Sequence, residues 1–236
     1  MAAPISVIIP TLNAAAGLKR SLPPLMEGLT EGLINAVIFA DGGSIDSIET
    51  IAEEIGAELV STAPGRGVQL AAGCASARSD WLLVLHADTV LPVGWSDHAK
   101  RALMNPNQAH VFHLSFDTAG FAPNFVAGWA NTRTKWFGLP YGDQALLISR
   151  QLYRKIGGYP EIPLMEDAAI ARALRGKISI IDATVTTSAD RYQRDGWLKR
   201  GSKNLFILLR YLLGADPEKL VRSYRSAPKE TQNTPK

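Results

Sequence analysis

The residues of this chain with most chemistry to offer are acids placed where apolar runs stop. Residues 81–85 form an unbroken apolar run that halts at His86 and Asp88 in WLLVLHAD, and residues 34–40 halt at Asp41 in DGGSID. Such runs suit strands buried on both faces of a sheet. In open α/β sheets, ligands bind in the crevice outside the carboxyl ends of the strands. A carboxylate placed there can hold a divalent cation and, through it, phosphates. The alternative for Asp88 is to cap the turn that follows, and the segment taken alone supports both readings. Arg66 stands between two glycines in PGRG at the entrance of a helical stretch. A guanidinium and a helix N-terminus both favour anions, the alternative being a solvated surface arginine. Glu166 and Asp167 follow a proline-containing loop and open another helical stretch, where acids also serve as caps favoured by the helix dipole.

The elements that must position these groups follow from periodicity and from glycine and proline punctuation. Residues 5–9 read as a first buried strand ending in the polar turn Pro10, Thr11, Leu12 and Asn13. A helix opening at 14–17 is interrupted by Pro23 and Pro24. The second strand, 34–40, ends at Asp41. There Gly42 and Gly43 let the backbone approach a ligand, and Ser44 or Asp46 can cap a helix over 48–55. A short third strand over 57–61 and a helix through Gln69, Ala72 and Ala75 lead to the strand ending at His86 and Asp88. Strand, turn and helix thus alternate three times, which argues for parallel βαβ units and a doubly wound sheet.

Beyond Pro92 the pattern predicts a helix over 95–104 and a strand over 109–116 whose alternation suits antiparallel or half-exposed pairing. Helix 121–137 carries Trp129, Arg133, Lys135 and Trp136 on a mixed face that suits core packing first. Gly142, Asp143 and Gln144 precede a strand over 145–149, followed by a helix stopped by Gly157 and Gly158. A helix over 168–174 and a last strand over 177–181 complete this part.

At 236 residues, 46% hydrophobic and 20% charged, the chain has ordinary globular composition with room for a sizeable core. One cysteine excludes an internal disulfide framework, and no Cys/His cluster suggests zinc. A short apolar run near the start and no basic region before it argue against a signal peptide, so a cytoplasmic location is expected. The net charge of +3 is uneven: residues 1–190 carry 14 basic and 18 acidic side chains, residues 191–236 carry 11 and 4. A basic end favours phosphates, anionic acceptors or a membrane surface, and no interleaving of aromatics points to nucleic acid.

The strand ending in PTLN, the second ending in DGGSID, the GRGVQ turn into a helix and the strand ending in HAD together resemble the nucleotide-binding half of GT-A glycosyltransferases. They are most similar to glycosyltransferase family 2. The string GRGVQLAAGCASARSDWLLVLHADT is similar to a bacterial subgroup with HADT in place of an acidic DxD triplet. The resemblance implies a Rossmann-like, mixed but mainly parallel sheet flanked by helices. It implies a domain over 1–190, with a nucleotide-sugar half at 1–92 and an acceptor half at 93–190. A basic amphipathic helical extension would follow at 191–225, then a disordered tail at 226–236.

The activity implied is a metal-dependent, inverting transfer of a sugar from a nucleotide-diphosphate sugar, a UDP-sugar before others. The acceptor could be a sugar, a lipid or a small molecule. Pro10, Thr11, Leu12, Asn13 and Asp41 would receive base and ribose, and Arg66 the diphosphate. Asp88 would ligate Mn²⁺ or Mg²⁺, and Asp167 would be the catalytic base with Glu166 in support. Asp143 would bind sugar hydroxyls, and Arg191, in TTSADRYQRDGWLKR, would stand near the leaving diphosphate or the acceptor.

His86 departs from the acidic triplet: a neutral imidazole suits Mn²⁺ better than Mg²⁺, or it serves the ribose or a phosphate. All four histidines lie at or before His113, so a histidine ligand near the carboxyl terminus has no counterpart. Residues 197–213 are apolar but interrupted by basic residues, too short a run to span a bilayer. Packing on the domain is the first reading, a homodimer contact or peripheral contact with the inner face of a membrane the others. A nucleotidyltransferase of related fold and an inactive nucleotide-sugar-binding scaffold remain as alternative functions.

Overall fold

The computed structural model describes residues 3–225, and the segment expected to be disordered, 226–236, lies outside the described residues. In chain order the elements are β1 (Ile5–Thr11), α1 (Ala15–Ser21), α2 (Leu25–Thr30), β2 (Ile34–Asp41), α3 (Ile48–Ile55), β3 (Glu58–Ser61), α4 (Arg66–Ser76), β4 (Trp81–Val84) and β5 (Thr89–Val90). They continue with α5 (Trp95–Leu103), β6 (Ala109–Phe116), α6 (Phe121–Phe137), β7 (Leu146–Ser149), α7 (Arg150–Lys155), α8 (Glu166–Ala173), β8 (Ile178–Thr187), α9 (Asp190–Asp195), α10 (Trp197–Leu212) and α11 (Pro217–Arg225).

The strands form one mixed sheet in the order β3-β2-β1-β4-β7-β6-β8-β5. β3, β2, β1 and β4 are mutually parallel, β7 is antiparallel to β4 and β6, β8 is parallel to β6, and β5 is antiparallel to β8. The chain leaves β1 to one side through β2 and β3 and returns to the other side at β4. The carboxyl ends of β1 and β4 therefore flank a topological switch point, where such sheets bind ligands. β1 outruns β4: its ladder with β4 stops at Ile8, whereas its ladder with β2 runs on to Thr11. Pro10, which has no N–H to offer, sits on that overhang.

Alternate residues of β1 and β4 feed two cores, one per face. Val7, Ile9 and Leu83 join Leu18 and Trp95 on one side; Ile8, Leu82 and Val84 join Leu70 and Leu152 on the other. Trp95 is fully buried, and its indole N–H donates to Pro24 O at 2.9 Å. Beside it the Glu27 carboxylate accepts from the backbone N–H groups of Gly94 and Ser96 at 2.9 and 2.8 Å, capping α5 from α2.

Three expectations are corrected. β6 is antiparallel to β7, as one of its two readings had it, and parallel to β8; with Ala109 to Phe112 and Leu114 buried it is an interior strand, so the half-exposed reading fails. The last strand does not stop at Ile181 but continues through a register shift opposite Phe112 and His113 to Thr187. Neither Ser44 nor Asp46 caps α3, which begins after Ser47 with no side-chain cap. Asp46 instead accepts from Ala15 N at 2.9 Å at the start of α1, and Ser44 is engaged with Asp41 and Asn13. No helix among the described residues is long and apolar enough to cross a membrane.

Truncating Trp95 to Ala removes the largest fully buried side chain and leaves a cavity. Denaturant unfolding of Trp95→Ala is expected to show a loss of about 3–5 kcal/mol.

Candidate active site

The carboxyl ends of β1 and β4 open onto a cleft of about 510 Å³, which joins a cavity of about 160 Å³ toward α8 and α10. Arg66, His86, Asp88, Ser188 and Arg191 line both, so these residues form the seam between the two chambers. Pro10, Leu12 and Asn13 line the cleft only; Asp143, Glu166 and Asp167 line the cavity only.

The cleft floor is built from short-range capping. Asp41 is buried and uses both oxygens internally: Thr11 and Ser44 hydroxyls donate to Oδ1 at 2.8 and 2.5 Å, Gly43 and Ser44 N–H to Oδ2 at 3.0 and 2.8 Å. These hydrogen bonds outweigh the cost of burial and hold its carboxyl below the usual range. Thr11 and Asp41 line neither chamber and organise the turn beside the cleft. Gln69 braces the same end: its amide donates to Thr11 O at 2.6 Å and Ala40 O at 2.9 Å, joining α4 to β1 and β2.

α4 begins at Arg66, and a Cβ on Gly67 would overlap the carbonyl oxygens of Pro160 and Ile162. That close approach brings the loop delivering Glu166 and Asp167 to the first turn of α4. Arg66 Nε lies 3.7 Å from Glu166 Oε1. Burial alone would lower the guanidinium's pKa; the fields of Glu166, Asp167, Asp88 and Asp143 raise it instead. Burial and the neighbouring Asp167 push Glu166 up to about 7 against the pull of Arg66. Asp167 is also raised, by burial, against the opposing effects of Arg66, the Gly142 N–H and Arg133. Asp167 Oδ2 accepts that N–H at 3.0 Å.

His86 is buried and its Nε2 has no hydrogen-bond partner in the protein. Burial and the cations Arg66 and Arg191 drive its pKa well below the ordinary value, so the imidazole is neutral. Gly142 packs flat between His86 and Asp167: a Cβ there would overlap His86 Nε2 and come within 2.8 Å of Asp167 Oδ2. Asp143 is pushed up to about 6, by burial first, with Arg133 opposing and Asp167 and Asp88 adding to the rise.

The far wall comes from the end of β8. Thr89 and Val90, directly after Asp88, pair with Thr187 and Thr186, which places Ser188 and Arg191 beside Asp88. Asp117 Oδ1 accepts from Ala189 N at 2.8 Å and Oδ2 pairs with Arg20, fixing this segment over the cleft.

The sequence reading missed Tyr141, Ser188, Arg200 and Asn204, all lining the cavity. The signal for two of them was present: Arg200 and Asn204 stand four residues apart on one face of α10, above Tyr192, whose hydroxyl accepts from Asn204 at 3.3 Å.

Residues 6–99 match the model of glycosyl transferase family 2. No curated relative matches the chain. Among solved structures, S. aureus TarS 1-349 in complex with UDP-GlcNAc is similar at 17% identity and a TM-score of 0.59, covering 78% of this chain and 58% of that one. Glucosyl-3-phosphoglycerate synthase from Mycobacterium tuberculosis, solved with Mn²⁺, UDP and phosphoglyceric acid, gives 19% and 0.61, covering 90% and 79%. GalNAc-T7 with UDP, GalNAc and Mn²⁺ gives 15% and 0.60, covering 78% and 44%. The chain thus spans 58% of the TarS 1-349 structure and 42% of the longer TarS structure. The mixed, helix-flanked sheet is the fold of these glycosyltransferases, GT-A.

The fit around Gly142 predicts opposite outcomes for two glycines. Gly142→Ala overpacks the site and should destabilise by about 1–3 kcal/mol. Gly128→Ala, inside α6 with nothing near its Cβ position, should stabilise by roughly 0.5–1 kcal/mol. Denaturant midpoints of the two variants check both.

Proposed function

We propose that the protein is a glycosyltransferase that moves a sugar from a UDP-sugar to an acceptor hydroxyl with inversion at the anomeric carbon. The observation that carries this reading is the two-chamber site: an anion-favouring seam at Arg66 and Arg191 with a buried carboxylate pair across it, in the second chamber. The UDP and UDP-GlcNAc of the neighbouring structures support the choice of donor.

The nucleoside would lie in the cleft beside Pro10, Leu12 and Asn13, with the diphosphate at the seam against Arg66 and Arg191. Asp88 and His86 also line the seam, and a carboxylate beside an imidazole suits Mn²⁺. Among the described residues no group of three or more His, Cys, Asp or Glu is placed to hold a metal alone, so diphosphate and water oxygens would complete its shell. When bound, such a cation would neutralise charge on the departing diphosphate. Asp167 would take the proton as the acceptor oxygen bonds to the anomeric carbon and the carbon–oxygen bond to the diphosphate breaks. Glu166, paired with Arg66, would keep that guanidinium aimed at the seam.

A base is needed in its carboxylate form, and burial raises the Asp167 carboxyl, so the acid limb of the transfer rate should lie at higher pH than an ordinary aspartate gives, with the rate falling below it. Asp167→Asn should cost about 10²–10⁴-fold in turnover with UDP binding retained. An unchanged turnover in Asp167→Asn excludes it as the base.

Thermal unfolding with UDP, GDP, CDP and dTDP, each with and without Mn²⁺, tests the donor side. UDP with Mn²⁺ should give the largest rise in midpoint, and Asp88→Ala should lose the metal-dependent part. An equal shift in the variant removes Asp88 from the cation's shell. Release of pyrophosphate from a nucleoside triphosphate would point to nucleotidyl transfer instead.

A further inference from the structure

Beside the cavity, between α6 and α10, lies a recess of about 40 Å³ that shares Phe116, Tyr141, Asp143, Tyr192 and Asn204 with it. Three residues of its walls each carry a polar atom that is buried without a hydrogen-bond partner in the protein: Arg133 Nη2, Tyr141 OH and Asp143 Oδ1. Arg133 is only 5% exposed, yet it enters none of the ion pairs found among the described residues. It is held firmly: Nε donates to Leu139 O at 2.8 Å, and the guanidinium carbon stands 3.5 Å from the centre of the Tyr141 ring. Leaving such groups unpaired is costly, and a fixed guanidinium cannot swing away to find water. Their convergence on one recess marks a place where a ligand completes the bonding.

The donor types identify what fits. Arg133 can only donate, the Asp143 carboxylate can only accept, and the Tyr141 hydroxyl can do either. An anionic arm would face Asp143 and a cationic arm would face Arg133, whereas a hydroxyl serves both. The volume is that of a hydroxymethyl-sized group, since a water molecule's share of the liquid is about 30 Å³. Phe116, Trp129 and Tyr192 supply apolar walls for the carbons that carry it.

We propose that this recess is the acceptor's anchoring subsite and that it takes a hydroxyl-bearing arm of a neutral sugar or polyol. Asp143 Oδ1 accepts from the hydroxyl, and Arg133 Nη2 and Tyr141 OH complete its bonding. This assignment rests on the transferase reading, because the recess opens into the chamber that holds Asp167. It makes Arg133, on a helix the sequence reads as core packing, a determinant of acceptor specificity.

The test is saturation-transfer NMR on the full chain with UDP and Mn²⁺ present, using methyl glucoside as the neutral probe, glucuronate as the anionic one and glucosamine as the cationic one. UDP affinity is measured separately by calorimetry. The neutral probe should bind at least tenfold better than either charged one. Tyr141→Phe keeps the ring beneath the guanidinium and removes only the hydroxyl; Arg133→Met keeps the stem and removes the donor. Each should weaken methyl glucoside binding about tenfold. UDP affinity equal to the parent's shows that the variant is folded, and Tyr141→Phe decides the matter if Arg133→Met is not. Three results overturn the proposal while leaving the transferase reading intact: UDP bound without methyl glucoside, a preference for a charged probe, or unchanged methyl glucoside binding in Tyr141→Phe, meaning that the recess holds only water. Absence of UDP binding by the parent protein removes both readings together.

Discussion

One guanidinium facing four carboxylates is the interaction on which this site depends. Glu166, Asp167, Asp88 and Asp143 come from three separate stretches of chain, and Arg66 feels all of them. Four acids converging on a partly dry cavity would repel one another and lose hydration; a cation at their centre makes the convergence tolerable. The arrangement is incomplete by intent of its chemistry, since Glu166 and Asp143 remain raised to about 7 and about 6 despite Arg66. Arg133 opposes the rise of Asp143 and Asp167 as well, and burial still keeps both carboxyls raised.

Local geometry supports that electrostatic centre. Among the described residues, the non-glycine positions with positive φ are Asn13, Ala145 and Met165. All three flank the site: Asn13 at the end of β1, Ala145 just after Asp143, Met165 immediately before Glu166. Left-handed backbone at such residues is strained and persists only where the surroundings enforce it. Here the enforcement is visible, because the Asn13 N–H and carboxamide oxygen are both engaged by the 44–45 turn and the 160–162 loop is pressed onto Gly67.

Much of the fold was legible because apolar runs end at unmistakable punctuation. The 17 residues of α6, the turn of DGGSID and the break at Pro23 and Pro24 all follow from patterns within a few residues. The polar second half of β8, DATVTT, carried no such signal, since its place in the sheet comes from β6 and β5 rather than from its own hydrophobicity. Asp46 looked like a cap for the nearest helix and caps α1 instead, a partner 31 residues away. Asp41 was legible as an acid at a strand end, but not as one whose lone pairs are already spent. Arg191 on α9 was legible through the resemblance, whereas Arg200 and Asn204 on α10 were not singled out, because a basic amphipathic stretch looks alike whether it covers a site or faces solvent.

The two-residue strand β5 carries a consequence for how the molecule comes into being. It belongs to the first half of the sequence, yet its partner in the sheet is the end of β8, with Thr89 and Thr187 standing 98 residues apart. Contacts of such long range form late in folding. The turn bearing His86 and Asp88 is therefore pinned only after the ribosome has delivered Thr187. A chain made only as far as β4 lacks this pin, so the pocket is completed only when the second half of the sequence is in place.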